Sequence, residues 1–73
     1  MKFFNSYLQQ VGRNLKAARI RRGFKQTDIE EKIGLTYRHY QSIEAGKVNV
    51  TLETLYRLSK LFRVPVEELL KDK

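Results

Sequence analysis

Apolar residues recur at spacings of three and four along most of the chain, the pattern of helices with one buried face. In the first such stretch, Leu8, Val11, Leu15 and Ala18 fall on one face. No stretch of strand length alternates apolar and polar residues. The pattern therefore predicts an all-α fold.

Residues that favour helix ends divide this pattern into five predicted helices. Gly23, Gly34 and Gly46 each follow a helical stretch and suit the left-handed conformation that often ends a helix. Thr36 and Thr51 are suitable N-caps. The predicted helices span residues 5 or 6 to 22, 26–33, 36–45, 51–62 and 65–71. We expect one domain over residues 1–73, because a chain this short forms no more than one.

The second and third predicted helices are short and are joined by a tight turn at Gly34 and Leu35, which indicates a helix-turn-helix. Packing of Ile29 and Ile33 against Tyr40 and Ile43 would bury the inner face of the third helix. Its outer face would then stand free, and on it lie four hydrogen-bonding residues: Tyr37, Arg38, Gln41 and Ser42. A helix fits the major groove of DNA, where such side chains contact base edges. These four are the candidate base-contacting residues.

The excess of basic residues favours a polyanionic binding partner. The chain has 15 Lys and Arg against 8 Asp and Glu, a net charge of +7, and residues 1–25 contain no acid. A basic field attracts nucleic acid or an anionic membrane surface, and charge alone does not distinguish them. The exposed polar face of the third helix favours double-stranded DNA. Lys25 and Thr36, near the starts of the two helices, are candidate phosphate contacts.

Other residue types limit the function further. Cysteine is absent and His39 is the single histidine, so we expect neither disulfides nor a metal site. The sequence shows no nucleophile–base pair and no phosphate-binding loop, so we expect neither an enzyme nor a cofactor. Apolar runs are shorter than the roughly 20 residues of a membrane span, which predicts a cytoplasmic protein without membrane attachment.

Several spaced motifs together resemble the Cro/phage-repressor class of helix-turn-helix proteins, also called the XRE family. The resemblance covers about residues 11–70. It is carried by these segments: Gly23-Phe24-Lys25-Gln26, Gly34-Leu35-Thr36, Ile43-Glu44-Ala45-Gly46-Lys47, Leu52-Glu53-Thr54-Leu55 and Leu61-Phe62-Arg63-Val64-Pro65. The resemblance implies a five-helix, lambda-repressor-like DNA-binding domain whose second and third helices form the helix-turn-helix.

The resemblance also suggests roles for individual residues. Gln26 matches a glutamine that contacts phosphate and supports the reading helix, and Lys47 and Asn49 match a loop that follows the DNA backbone. Tyr37, Arg38 and Ser42 match exposed positions of the reading helix. Arg19 and Glu44 match a buried ion pair between the first and third helices.

Four positions depart from the family pattern. Glu30 stands near the helix crossing where a small residue is usual, and Lys25 replaces a Ser or Thr cap. Arg63 replaces a glycine before the last helix. Tyr40 replaces an aliphatic residue and needs a polar partner for its hydroxyl.

The last two helices carry more apolar side chains than can be buried on one face of each helix. We expect Leu52, Leu55 and Phe62 to face inward. A second group stays partly exposed and is the candidate dimer interface: Tyr56, Leu61, Val66 and Leu70. Phe3, Phe4 and Tyr7 add apolar surface at the N-terminus, either joining that interface or covering the end of the fifth helix. A surface of this kind favours a homodimer.

The sequence thus predicts a small dimeric transcriptional regulator that binds a specific, near-palindromic DNA operator with its third helix. The alternative is an antitoxin or adaptor that uses the same domain to bind another protein. Activation would also need a surface for RNA polymerase, and the acids Asp28, Glu31 and Glu53 are equal candidates for it.

Overall fold

A computed structural model describes residues 2–72 of the chain. Five helices are the regular elements of these residues: α1 Lys2–Arg21, α2 Asp28–Ile33, α3 Tyr37–Glu44, α4 Leu52–Phe62 and α5 Val66–Leu70. Within the described part of the chain, no helix combines the length and apolar character that a membrane crossing requires. The all-α prediction and the order of its elements are confirmed.

The helix ends follow the residues that the sequence marked. Thr36 Oγ1 accepts the N–H of His39 at 3.2 Å, which caps the start of α3. Thr51 Oγ1 accepts the N–H of Thr54 at 3.1 Å, which caps α4 in the same way. α4 ends at Phe62, and the C-cap residue that follows, Arg63, is a non-glycine residue in the left-handed region at φ 60°. Arg63, which stands where the family usually has glycine, thus adopts a conformation that glycine takes more readily.

Two helix starts differ from their predicted positions by two residues or more. α1 begins at Lys2, earlier than residue 5 or 6, because its first turns pack on the rest of the molecule: the Tyr7 hydroxyl donates to the Leu70 carbonyl at 3.0 Å. α2 begins at Asp28 rather than at residue 26. The preceding residues form a tighter turn, in which the N–H of Asp28 donates to the Lys25 carbonyl three residues back.

One core joins all five helices. α1 packs against α3 and α5, α2 against α3, and α4 against α5. The buried apolar residues come from each helix in turn: Val11, Leu15, Ala18, Ile29, Tyr40, Ile43, Leu55, Leu58, Phe62 and Leu69. Ile33 is half-buried against this core. Because α3 contacts both α1 and α2, its inner face is enclosed and its orientation is set by packing.

α1 approaches its neighbours closely at Gly12 and at Asn14. A Cβ added to Gly12 would lie 2.2 Å from the carbonyl oxygen of Glu44, so the C-terminal end of α3 rests directly on α1. Asn14, which is buried, donates through Nδ2 to the carbonyls of Leu69 at 3.0 Å and Lys71 at 2.8 Å. These contacts satisfy carbonyls at the end of α5, which no later turn of helix can reach.

The expectation that Leu52 faces inward is wrong, since its side chain is 74% exposed. Leu55 and Phe62 are buried as expected. Leu52 is the first residue of α4, one turn before Leu55, and it lies at the rim of a groove between α1 and α4 rather than inside the core.

Candidate nucleic-acid interface

A buried polar cluster fixes α3 to α1. Arg19 Nε donates to Glu44 Oε2 at 2.6 Å, and its Nη2 lies 3.2 Å from Glu44 Oε1. Gln26 Nε2 donates to the same Oε1 at 2.9 Å, and the Tyr40 hydroxyl donates to Oε2. The Glu44 side chain is only 4% exposed. The predicted ion pair is confirmed, and Tyr40 has the polar partner that its hydroxyl requires.

The charges of this cluster hold each other in their ionised forms. Burial alone would raise the pKa of Glu44, but hydrogen bonds from Arg19, Tyr40 and Gln26, together with the Arg19 charge, lower it below its ordinary value. The hydrogen bond to Glu44 raises the pKa of Arg19. Burial, and then the bond to Glu44, raise the pKa of Tyr40. The cluster is therefore an ionised pair with a neutral tyrosine.

The outer face of α3 is turned to solvent. Tyr37, Arg38 and Gln41 are exposed, whereas Ser42 is half-buried. The amide of Gln41 lies 3.4 Å from the Tyr37 hydroxyl, one turn apart on the same face. His39 is exposed as well. Three of the four candidate base-contacting residues thus lie fully on one accessible surface, and the fourth lies at its edge.

The candidate phosphate contacts fall into separate groups. Lys25, Gln26 and Tyr37 line one shallow depression beside the starts of α2 and α3. Lys25 is exposed, and its backbone N–H donates to Asp28 Oδ2 at 2.7 Å. Gln26 is half-buried, because its amide is held by Glu44. These residues and the exposed Thr36 border the outer face of α3.

The other two phosphate candidates lie in the loop after α3. Lys47 and Asn49 are both exposed. Asn49, however, also borders the groove between α1 and α4, so it faces a different part of the surface from Lys25 and Gln26. The structure does not bring all the candidate contacts into one cluster.

The profile of the helix-turn-helix family matches residues 15–69, most of the chain and both helices of the motif. The chain belongs to the helix-turn-helix family. The resemblance to the Cro/phage-repressor class is thereby confirmed. A solved structure, the DNA-binding domain of BldD, superposes on this helix-turn-helix protein with a TM-score of 0.83, at 33% identity over 92% of this chain and 97% of that one.

Two proteins that are similar in sequence to this helix-turn-helix protein are named as transcriptional regulators. The SPbeta prophage-derived uncharacterized HTH-type transcriptional regulator YonR of Bacillus subtilis is 35% identical over 60 residues, or 82% of this chain. The cryptic phage CTXphi transcriptional repressor RstR of Vibrio cholerae is 31% identical over 58 residues, or 80% of this chain. The matched segment spans 56% and 52% of these relatives.

The candidate dimer residues of the helix-turn-helix protein differ in exposure. Tyr56 is exposed, but Leu61, Val66 and Leu70 are half-buried against the core. The more accessible apolar side chains lie elsewhere: Phe3, at 86% exposed, Leu52 and Ile20. Phe4, Tyr7, Leu52 and Leu70 border one groove, so Phe4 and Tyr7 meet α4 and α5 there.

One contact beside the reading face was missed from the sequence. Glu30 Oε1 accepts the backbone N–H of Tyr37 at 3.0 Å, which links α2 to the start of α3. From the sequence, Glu30 was only a departure from the family's small residue. Its side chain is exposed and so does not disturb the helix crossing. A carboxylate a few residues before an N-cap position is the only signal that the sequence offered.

Proposed function

We propose that this protein is a sequence-specific DNA-binding transcriptional regulator that inserts α3 into the major groove. The exposed face bearing Tyr37, Arg38 and Gln41 carries this proposal, because the Arg19–Glu44 cluster holds that face in a fixed direction. A helix that is already fixed presents its side chains to base edges without the cost of ordering its backbone at binding. The likeness to YonR and RstR, which are named as transcriptional regulators, and to the DNA-binding domain of BldD supports a DNA-linked regulatory role.

Binding as a homodimer is the second part of the proposal. Tyr56 and the half-buried Leu61, Val66 and Leu70 remain the candidate interface, and the exposed Phe3, Phe4 and Leu52 extend the apolar surface available to it. A two-fold dimer would place two copies of α3 about 34 Å apart, one turn of DNA. The operator would then be an inverted repeat.

Selection from a pool of random-sequence duplexes tests both parts. The chain should retain a common sequence with two inverted half-sites whose centres lie about 10 base pairs apart. A retained pool that stays random, with binding that disappears steeply as salt increases, would contradict the proposal. A single retained half-site would contradict the dimer alone.

Two substitutions should separate base contact from phosphate contact. We expect Arg38→Ala to weaken binding to the selected operator by about 1–3 kcal/mol and to change random-duplex binding little. Lys47→Ala removes a charge from the loop after α3, so it should weaken binding to all duplexes alike. The slope of log affinity against log salt concentration should become shallower by about 1, the contribution of one phosphate contact. Titrations of each variant against operator and random duplexes measure the difference. If Arg38→Ala lowers the affinity for both duplexes equally, Arg38 does not contact the bases.

A further inference from the structure

A negative charge is held beside the candidate reading face. The Glu30 carboxylate accepts the N–H of Tyr37, the first residue of α3, at 3.0 Å. Tyr37 and Arg38 follow at once on the exposed face. The hydrogen bond and the positive end of the α3 dipole both keep the carboxylate in place. Under the proposed function, this acid lies at the surface that DNA phosphates would approach, on a chain whose net charge is +7.

We infer that Glu30 is a specificity-determining residue whose carboxylate weakens backbone-only binding of DNA to α3. This inference rests on the proposed function. It adds a repulsive element next to residues that attract DNA, and discrimination between ligands commonly requires such an element.

The physical reason lies in how the two kinds of complex are held together. Binding to a random duplex depends on phosphate contacts, which can form in many orientations of the protein. Binding to an operator adds contacts to base edges and holds the protein in one orientation, in which Tyr37 and Arg38 face the bases and the phosphates occupy fixed positions. A fixed carboxylate at the start of α3 repels any phosphate that comes to rest there. The Glu30 carboxylate therefore destabilises the complex with a random duplex more than the complex with the operator.

Glu30→Gln tests the inference, because the amide oxygen can still accept the N–H of Tyr37 while the charge is removed. Glu31→Gln is the matched control: Glu31 is exposed on the same helix and points about 100° away around its axis. Dissociation constants for the selected operator and a random duplex are measured at one salt concentration for the wild type and both variants. Thermal unfolding of each variant confirms that the fold is retained.

We expect Glu30→Gln to raise affinity for the random duplex by about threefold to tenfold and for the operator by less, so that the ratio of the two affinities falls. Glu31→Gln should leave that ratio unchanged. A ratio that is the same in both variants, in a wild-type chain that does prefer its operator, overturns the inference and leaves the proposed function intact. A wild-type chain with no sequence preference overturns the proposed function itself.

Discussion

Glu44→Gln should destabilise the protein by about 3 kcal/mol, because it leaves the buried Arg19 guanidinium without its counter-charge. The substitution preserves the size of the side chain, so the lost charge dominates the effect. A loss of this size is a large part of the stability of a domain of 73 residues. Chemical denaturation of the wild type and the variant, analysed as two-state transitions, gives the difference in the free energy of unfolding.

An exposed ion pair provides the matched control. Glu68 and Lys71 lie 4.0 Å apart, and their side chains are 56% and 58% exposed. Because water screens this pair, Glu68→Gln should cost less than about 1 kcal/mol. If both substitutions cost the same, the buried cluster has no special role. Arg19→Met combined with Glu44→Gln should recover part of the lost stability, since no uncompensated charge then remains.

The effect of Glu44→Gln should also depend on pH. The pKa of Glu44 lies below its ordinary value of 4.5 in the folded protein. The carboxylate therefore stabilises the fold fully above about pH 4.5, and this contribution is lost as the pH falls towards the lowered folded-state pKa. The difference in stability between wild type and Glu44→Gln should shrink over this acidic range. A difference that is constant with pH would show that ionisation of Glu44 is not its source.

The features that the sequence predicted correctly are those that depend on nearby residues. Thr36 and Thr51 cap helices through N–H groups three residues on, so the motif at each start is visible in a short segment. The Arg19–Glu44 pair spans 25 residues and was found only through the family resemblance. The accessible face of α3 followed from the spacing of Tyr40 and Ile43, which fixes the opposite, buried side.

The features that were missed depend on where distant segments meet. In the sequence Asn14 is an ordinary polar residue of α1, and its role appears only when the carbonyls of Leu69 and Lys71 are brought to it from 55 and 57 residues away. Leu52 has the right spacing for the core but lies where the core ends. Glu30 required the exact placement of α3 against α2. Helical periodicity determines which face of a helix is buried, but not which residues of other helices lie beside each position.

Gly12→Ala should destabilise the protein by about 3 kcal/mol, although alanine normally favours a helix over glycine by roughly 1 kcal/mol. The added Cβ would lie 2.2 Å from the carbonyl oxygen of Glu44 and 3.0 Å from that of Ile43, and backbone atoms cannot move aside as a flexible side chain can. α1 and α3 would have to separate, which loosens the support of the candidate reading helix. Thermal unfolding of the variant measures the loss.

Gly23→Ala is the control that separates this clash from ordinary backbone strain. Gly23 has φ 80°, but a Cβ there would meet no atom within 4 Å. Its substitution should therefore cost only the strain of the left-handed conformation, about 1–2 kcal/mol. Because Gly12 lies in α1 at ordinary helical angles, a destabilisation greater than that of Gly23→Ala can come only from contact with α3. If Gly12→Ala instead stabilises the protein, as helix propensity alone predicts, α1 and α3 do not approach as closely as the structure shows.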